Sequence, residues 1–275
     1  AAFVIDSDPL DETYAAQAME SFDDATNTSP VGRIHNLDVD KIDDRLLAVT
    51  SSGSLVSEEY RSIRTGMLAR WHQRRSLVHT ITSATPQEGK TITSLNMGFS
   101  FAEIEDRRTI VVECDLRLPQ FQKLMNLPDA PGVIGVLEGE NTLEESVLQL
   151  GEHKLNILSA GGRASNNAVQ LLSSPNFEQL LERLRAEYDH VIIDTPPVVE
   201  LADAGIIGGH SDEVILIARM QRTPRSLIEQ AIRILKSYNA PVAGAIATDQ
   251  TRARHRYHYY RYGYRYHNRY YTKAA

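Results

Sequence analysis

The residues best suited to chemistry lie in the stretch TITSATPQEGKT, where a β-branched run leads into Ala84-x-x-x-x-Gly89-Lys90-Thr91. This is the spacing of a phosphate-binding loop with alanine in place of its first glycine. Such a loop offers backbone N–H groups at the start of a helix, a lysine for the β- and γ-phosphate oxygens and a hydroxyl for Mg²⁺. The sequence therefore predicts a site for ATP and Mg²⁺. Its expected binding residues are Thr85, Pro86, Gln87, Glu88, Gly89, Lys90, Thr91 and Ile92.

Three carboxylates follow two apolar runs elsewhere in the chain. Glu113 and Asp115 come after TIVV, and Asp194 comes after HVII. Ligands of an open parallel sheet bind outside the carboxyl ends of its strands, so we expect the three side chains to converge beside the phosphate-binding loop. Thr91, Asp115 and Asp194 are candidate Mg²⁺ ligands, directly or through water, and Glu113 or Asp115 is the candidate acceptor of a proton from an attacking hydroxyl. Lys90 completes this predicted catalytic set, although strand-end acids that only cap the following turns remain an alternative.

The chain ends in tyrosines separated by arginines and histidines. From Arg252 onward there are seven Arg and Lys residues and no acid, whereas the whole chain has a net charge of −7. Because this stretch has no apolar periodicity, residues 251–275 are predicted to form a flexible basic tail. A tyrosine hydroxyl, with a pKa of about 10, becomes a useful nucleophile when a carboxylate accepts its proton. The candidate phosphoacceptors are Tyr257, Tyr259, Tyr260, Tyr262, Tyr264, Tyr266, Tyr270 and Tyr271.

The opposite end of the chain is acidic, and residues 1–40 are predicted to be a disordered lead-in. The single cysteine, Cys114, excludes an intramolecular disulfide. No apolar run approaches the ~18–20 residues that span a bilayer. We therefore expect a cytoplasmic protein that is recruited to the inner face of the membrane by a partner.

Six β-branched runs alternate with helical stretches between these two ends. The runs are SLVHTIT, TIVVE, LNILSA, HVIIDT, EVILIA and PVAGAIA. Residues 57–72, 175–188 and 224–238 have helical apolar spacing. This alternation predicts an α/β fold with a doubly wound, mostly parallel sheet over residues 41–250.

The set SATPQEGKT, VVECDLRLPQ and YDHVIIDTPPV, with the tyrosine tail, resembles the bacterial tyrosine kinases that govern capsule and exopolysaccharide synthesis. The resemblance runs from about residue 41 to the end of the chain. It includes SEEYRSIRT, which matches the E-x-x-R-x-x-R motif of that family as Glu58, Arg61 and Arg64. In the family, the helix that carries this motif packs against a neighbouring subunit.

The resemblance implies a P-loop NTPase of the deviant-Walker type, the branch that includes chromosome-partitioning and cell-division-site ATPases. It also implies an ATP-dependent tyrosine kinase that phosphorylates its own tail in trans within a ring-like homo-oligomer. A membrane-spanning polysaccharide co-polymerase is the implied activator. Nucleic acid is not an expected partner, because a tail that only bound anions would have no need of a phosphoryl-transfer site.

Several residues depart from the family pattern. Glu113 stands where aspartate is usual, and Gln87 stands where glycine is common, at a cost of about 1 kcal/mol or more if that position has a positive φ. Thr248 occupies the place where related ATPases put an adenine-binding asparagine. Thr85 replaces the second lysine of the partitioning ATPases, which favours the kinase branch.

Other functions are also compatible with these residues. One is a weakly active, nucleotide-dependent regulator, and another is an adaptor whose Arg- and Tyr-rich tail binds anions or single-stranded nucleic acid. A third is a partitioning-type ATPase.

Overall fold

The computed structural model describes the backbone of residues 3–5 and, in full, residues 32–71, 76–164 and 166–248. The strands are β1 (Phe3–Ile5), β2 (Arg33–His35), β3 (Leu77–Ser83), β4 (Thr109–Glu113), β5 (Leu148–Leu150), β6 (Leu155–Leu158), β7 (His190–Asp194), β8 (Glu213–Arg219) and β9 (Val242–Thr248). The helices are α1 (Leu47–Thr50), α2 (Leu55–Leu68), α3 (Lys90–Ala102), α4 (Phe121–Met125), α5 (Val133–Glu138), α6 (Leu143–Ser146), α7 (Ala168–Leu172), α8 (Pro175–Glu187), α9 (Asp203–Gly209) and α10 (Arg225–Ser237). Single 3₁₀ turns lie at Val39–Lys41 and Gly151–His153.

The described strands form one sheet in the order β1-β9-β8-β3-β7-β4-β6-β5-β2. The six strands from β9 to β6 are mutually parallel, and they are the six predicted from the sequence. Strands β1 and β5 pair antiparallel with β9 and β6, and β2 pairs parallel with β5. The prediction of a doubly wound, mostly parallel sheet is confirmed.

Alternate residues of the central strands pack into layers on the two faces of the sheet. Ile192 and Ile215 pack with residues of α2, α3 and α4. Val191 and Ile193 pack with residues of α5 to α8, and Leu216 packs with α10. Because both faces of the sheet are covered, each strand is an almost continuous apolar run. This is why the strands could be predicted from the sequence.

The sheet also contains strands that the sequence did not predict. Two of these strands lie within residues 1–40, where Phe3–Ile5 pairs with β9 and Arg33–His35 pairs with β5. Such short edge strands carry too few residues for a period-2 pattern to register. Strand β5 was missed for the same reason.

Helix α2 begins and ends earlier than the predicted 57–72. The Ser54 side chain caps it by accepting a hydrogen bond from Ser57 N. Trp71, which lies within the predicted range, follows the helix instead, and its Nε1 donates to Glu213 Oε2 at 3.0 Å. No helix within the described part of the chain is long and apolar enough to cross a bilayer.

Candidate functional site

The connection between β3 and α3 forms the predicted phosphate-binding loop. Gly89 is the N-cap of α3 with φ of 98°, a left-handed conformation that glycine adopts readily. Gln87 also has a positive φ, 62°. The left-handed region costs a residue with a Cβ about 1–2 kcal/mol, so glutamine here does carry the cost that the sequence suggested.

Lys90, Asp115 and Asp194 meet where this loop joins α3. Lys90 Nζ lies 3.8 Å from Asp115 Oδ2, and both side chains are almost fully buried. Asp194 ends β7, and its neighbours in register are Ile81 of β3 and Glu113 of β4. The fold therefore brings the predicted carboxylates to one edge of the sheet, beside the loop lysine.

Asp194 is fully buried and only partly hydrogen-bonded. Its Oδ1 accepts from the Ser94 hydroxyl at 3.0 Å, whereas its Oδ2 has no hydrogen-bond partner among the described residues. Burial raises the pKa of Asp194 to about 7, against the opposing effects of the Lys90 ammonium and the Thr91 hydroxyl. A buried carboxylate oxygen left open beside a hydroxyl and a lysine fits Mg²⁺ coordination, directly or through water.

Asp115 faces both the loop and the segment that follows β4. Its Oδ1 accepts from Leu118 N at 3.1 Å, and its Oδ2 is the oxygen that faces Lys90. Burial raises the pKa of Asp115, while the Lys90 ammonium acts to lower it. An oxygen that lies next to the loop lysine is suitably placed to accept a proton.

Glu113 differs from Asp115 and Asp194 in its hydrogen bonds. Its Oε1 accepts from Phe121 N at 2.8 Å and from Gln120 N, and its Oε2 accepts from Ala160 N at 3.0 Å. Burial raises the pKa of Glu113, and the three amides act to lower it. The carboxylate thus joins the start of α4 to the end of β6, and neither oxygen is left without a donor.

The segment after β4 is also anchored by Arg117. Its Nε donates to Asp203 Oδ2 at 2.8 Å and its second terminal nitrogen donates to Asp203 Oδ1 at 3.1 Å. Asp203 is fully buried in the first turn of α9. Sequence reasoning missed Asp203, because an isolated acid at the start of a short helix gives no signal of a distant partner.

The E-x-x-R-x-x-R residues form a network within the chain. Arg61 donates to both Glu103 oxygens, at 2.8 and 2.6 Å, and to Glu58 at 2.5 Å. Arg64 donates to the Ser100 carbonyl and to Glu103 Oε2. These bonds join α2 to the C-terminal end of α3, the helix whose other end carries Lys90. The side chain of Glu58 is 62% exposed.

Strands, loop and converging acids together define a P-loop nucleotide-binding protein. A family model described as an AAA domain matches residues 86–241. Among solved structures, MinD of Pyrococcus horikoshii, the septum site-determining protein complexed with Mg-ADP, has a TM-score of 0.55 at 20% identity, covering 65% of this chain and 72% of that one. The predicted fold, of the type that MinD has, is therefore confirmed.

Closer similarity specifies the family. Tyrosine-protein kinase YwqD of Bacillus subtilis strain 168 is 33% identical over 216 residues, which are 78% of this chain and 90% of the relative. The VpsO kinase domain has a TM-score of 0.62 at 31% identity, covering 72% of this chain and 100% of that one. The chain belongs to the bacterial tyrosine-protein kinases, a family of ATP-dependent transferases, as its motifs indicated.

Relatives differ in length. Tyrosine-protein kinase ptk of Acinetobacter johnsonii is 33% identical over 208 residues, which are 76% of this chain but 28% of the relative. The chain therefore spans little more than a quarter of that protein. The predicted phosphoacceptor tyrosines, within 251–275, lie outside the described residues.

Proposed function

We propose that the chain is a tyrosine autokinase that transfers the γ-phosphoryl group of ATP to its own tail tyrosines in trans and thereby regulates exopolysaccharide or capsule synthesis or export. The observation that carries this proposal is the meeting of Lys90, Asp115 and Asp194 at one phosphate-binding loop, in a chain that ends in a run of tyrosines. The donor site and a set of acceptors are then parts of one polypeptide.

In this proposal each residue of the site has a distinct role. The loop from Thr85 to Ile92 binds the phosphates, with Lys90 balancing the charge of the β- and γ-oxygens. Mg²⁺, when bound, neutralises the charge that develops on the transferred group, and Thr91, Asp115 and Asp194 would hold it directly or through water. Asp115 would accept the tyrosine proton, because both Glu113 oxygens already accept backbone N–H groups.

We also propose a ring-like homo-oligomer at the inner face of the membrane, with a membrane-spanning polysaccharide co-polymerase as activator. Glu58, Arg61 and Arg64 lie on the flank of α2 that would meet a neighbour. Glu58 is largely exposed and is therefore available for a contact between subunits. Family membership supports the same arrangement.

The test is incubation with Mg-ATP followed by mapping of modified residues. Phosphate should appear on tail tyrosines of the wild type and be absent from Lys90→Met. Mixing full-length Lys90→Met with an active form lacking 251–275 isolates transfer between molecules, since only the inactive chain then carries acceptors. An unmodified tail in the wild type contradicts the kinase proposal, and an unmodified tail in the mixture contradicts transfer in trans.

One observation favours a second candidate, a nucleotide-dependent regulator with little kinase activity. The positive φ of Gln87 places a strained residue within the phosphate-binding loop. Nucleotide binding without tail phosphorylation in the same experiment would support this alternative.

A further inference from the structure

The phosphate-binding loop contains a residue that opposes its own conformation. Gln87 has φ of 62°, whereas residues with a Cβ prefer negative φ. A loop whose binding conformation is only fractionally populated binds its ligand more weakly in proportion to that fraction. Something outside Gln87 must therefore stabilise the observed loop.

The side chain of the next residue provides one set of bonds. Glu88 is only 3% exposed although it lies in a loop. Its Oε1 accepts from the Thr85 hydroxyl at 3.0 Å, and its Oε2 accepts from Thr85 N at 3.3 Å. The Thr223 hydroxyl, in the connection between β8 and α10, also donates to Glu88 Oε1. The carboxylate thus closes the loop on itself and attaches it to the sheet.

The backbone that follows the strained residue is held as well. The Thr248 hydroxyl, at the end of β9, donates to the Glu88 carbonyl at 2.7 Å. The Gln87 carbonyl accepts from Arg219 at 3.4 Å. Thr223 is itself oriented, because its hydroxyl oxygen accepts from Arg219 N at 3.0 Å. Two neighbouring strands, β8 and β9, therefore fix the peptide units that follow Gln87.

We propose that Glu88, Thr223 and Thr248, here called the loop clamp, are positioning residues that hold the phosphate-binding loop in its binding conformation against the preference of Gln87. The clamp assigns Thr248 a role in shaping the loop rather than in contacting adenine. This inference deepens the proposed function, since it rests on the loop being the nucleotide site.

The experiment is a mutant cycle that joins the clamp to residue 87 in the full-length chain. Thr223→Val and Thr248→Val remove each hydroxyl with little change of shape, and they are made singly and together, with and without Gln87→Gly. The dissociation constant of Mg-ADP is measured by calorimetry. Loss of both hydroxyl bonds should raise that constant about tenfold, equivalent to about 1.4 kcal/mol, in the wild type, since the two bonds together hold the loop.

In the Gln87→Gly background the same double change should raise the dissociation constant of Mg-ADP about threefold or less, because glycine adopts the positive φ without help. Thr223→Ser and Thr248→Ser retain the donor and should bind as the wild type does. Thr50→Val is the matched control, since it removes a hydroxyl bond to a backbone carbonyl at 3.1 Å in α1. Its dissociation constant should be unchanged, and circular dichroism and thermal melting check that every variant folds.

Tripolyphosphate, which has no base, separates the clamp from adenine recognition. If the clamp holds the loop, the double variant should lose affinity for tripolyphosphate by about the same factor as for Mg-ADP. A normal affinity for tripolyphosphate, or an equal loss with glutamine and glycine at residue 87, would overturn the inference. Unchanged Mg-ADP binding by the double variant would also overturn it, provided that Lys90→Met binds poorly. If Lys90→Met binds Mg-ADP normally, the nucleotide site itself is misplaced and the proposed function fails first.

Discussion

Asp194 at the carboxyl end of β7 and Glu213 at the amino end of β8 are both buried carboxylates, but only Glu213 has both oxygens bonded. Glu213 Oε1 lies 2.8 Å from His79 Nδ1, and its Oε2 accepts from Trp71 Nε1 at 3.0 Å. Although burial acts to raise the pKa of Glu213, its bonds to His79 and Trp71 lower that pKa overall. Asp194 Oδ2 has no such partner in the described part of the chain.

The contrast distinguishes a carboxylate whose two oxygens the protein completes from one that it leaves partly unbonded. An unbonded buried oxygen costs roughly 1–3 kcal/mol, so its presence in a native fold calls for an explanation. At the carboxyl edge of the sheet, a nucleotide-bound cation would supply a partner for Asp194 Oδ2. At the amino edge the protein completes Glu213 by itself, which indicates that this cluster serves stability.

The largest expected difference comes from neutralising each acid. Asp194→Asn should reduce tail phosphorylation about a hundredfold or more, because an amide cannot replace a carboxylate beside Mg²⁺. Glu213→Gln should leave phosphorylation near the wild-type level but lower the free energy of unfolding by about 2 kcal/mol, since an amide loses the charge-assisted hydrogen bond that the carboxylate makes with the His79 ring. Phosphotyrosine blotting and urea unfolding measure the two effects. The comparison breaks if Glu213→Gln is the less active variant.

The two acids after β4 offer a second, closer comparison. Asp115→Asn should lower kcat about a hundredfold, because it removes the proton acceptor, and it should also weaken Mg-ADP binding, because it removes a proposed Mg²⁺ ligand. Glu113→Gln should instead lower the free energy of unfolding by about 1–3 kcal/mol, since one amide hydrogen-bond donor would meet a backbone N–H. Single-turnover phosphorylation and urea unfolding distinguish these outcomes. A folded Glu113→Gln enzyme with a greater loss of kcat than Asp115→Asn would reverse the assignment.

The sequence alone could not distinguish the role of Asp194 from that of Glu213, or the role of Asp115 from that of Glu113. Glu113 and Asp115 are two residues apart after the same strand, and what distinguishes them is supplied by the backbone of Gln120, Phe121 and Ala160. Those donors depend on how the α4 and β6 segments pack, which no local pattern contains. The bonds from Arg61 to Glu103, 42 positions away, were hidden for the same reason.

What the sequence did predict rests on local rules. Buried parallel strands need continuous apolar runs, so six strands were recognisable. The predicted site residues rest on equally local rules, because the spacing of Gly89, Lys90 and Thr91 is that of a phosphate-binding loop and Asp194 lies at the strand end where such sheets bind ligands; their roles stay a prediction.

The pH dependence of stability should have opposite signs at the two edges. The pKa of Asp194 is raised to about 7, so the folded state holds a proton that the unfolded state releases near pH 4, and stability falls as pH rises through this window. Burial, helped by His79, lowers the pKa of His190 to about 3, so its contribution falls as pH drops below about 6.5.

Urea unfolding of the nucleotide-free chain from pH 4 to pH 7.5 tests both signs. The stability of the wild type relative to Asp194→Asn should decrease as pH rises. Relative to His190→Asn, it should decrease as pH falls. Parallel curves for either pair would show that the group does not titrate as its surroundings indicate.

Glu103 is partly exposed on the surface, unlike the buried acids compared above, and its substitution should change stability the least. Glu103→Gln should lower the free energy of unfolding by no more than about 1 kcal/mol, because solvent screens its bonds to Arg61 and Arg64. The difference from the wild type should shrink further in about 0.5 M salt. Glu229→Gln, in a more exposed pair with Arg225, is the matched control and should cost less.

A weak intrachain network is also what the ring proposal requires of α2. If the bonds to Glu103 contribute little, Arg61 and Arg64 can exchange this partner for an acid of a neighbouring subunit with little loss. Sedimentation of Glu103→Gln should then show at least as much assembly as the wild type. A loss of stability as large as that of Glu213→Gln, together with reduced assembly, would place Glu103 with the structural acids and leave Glu58 as the exposed member of the motif for a subunit contact.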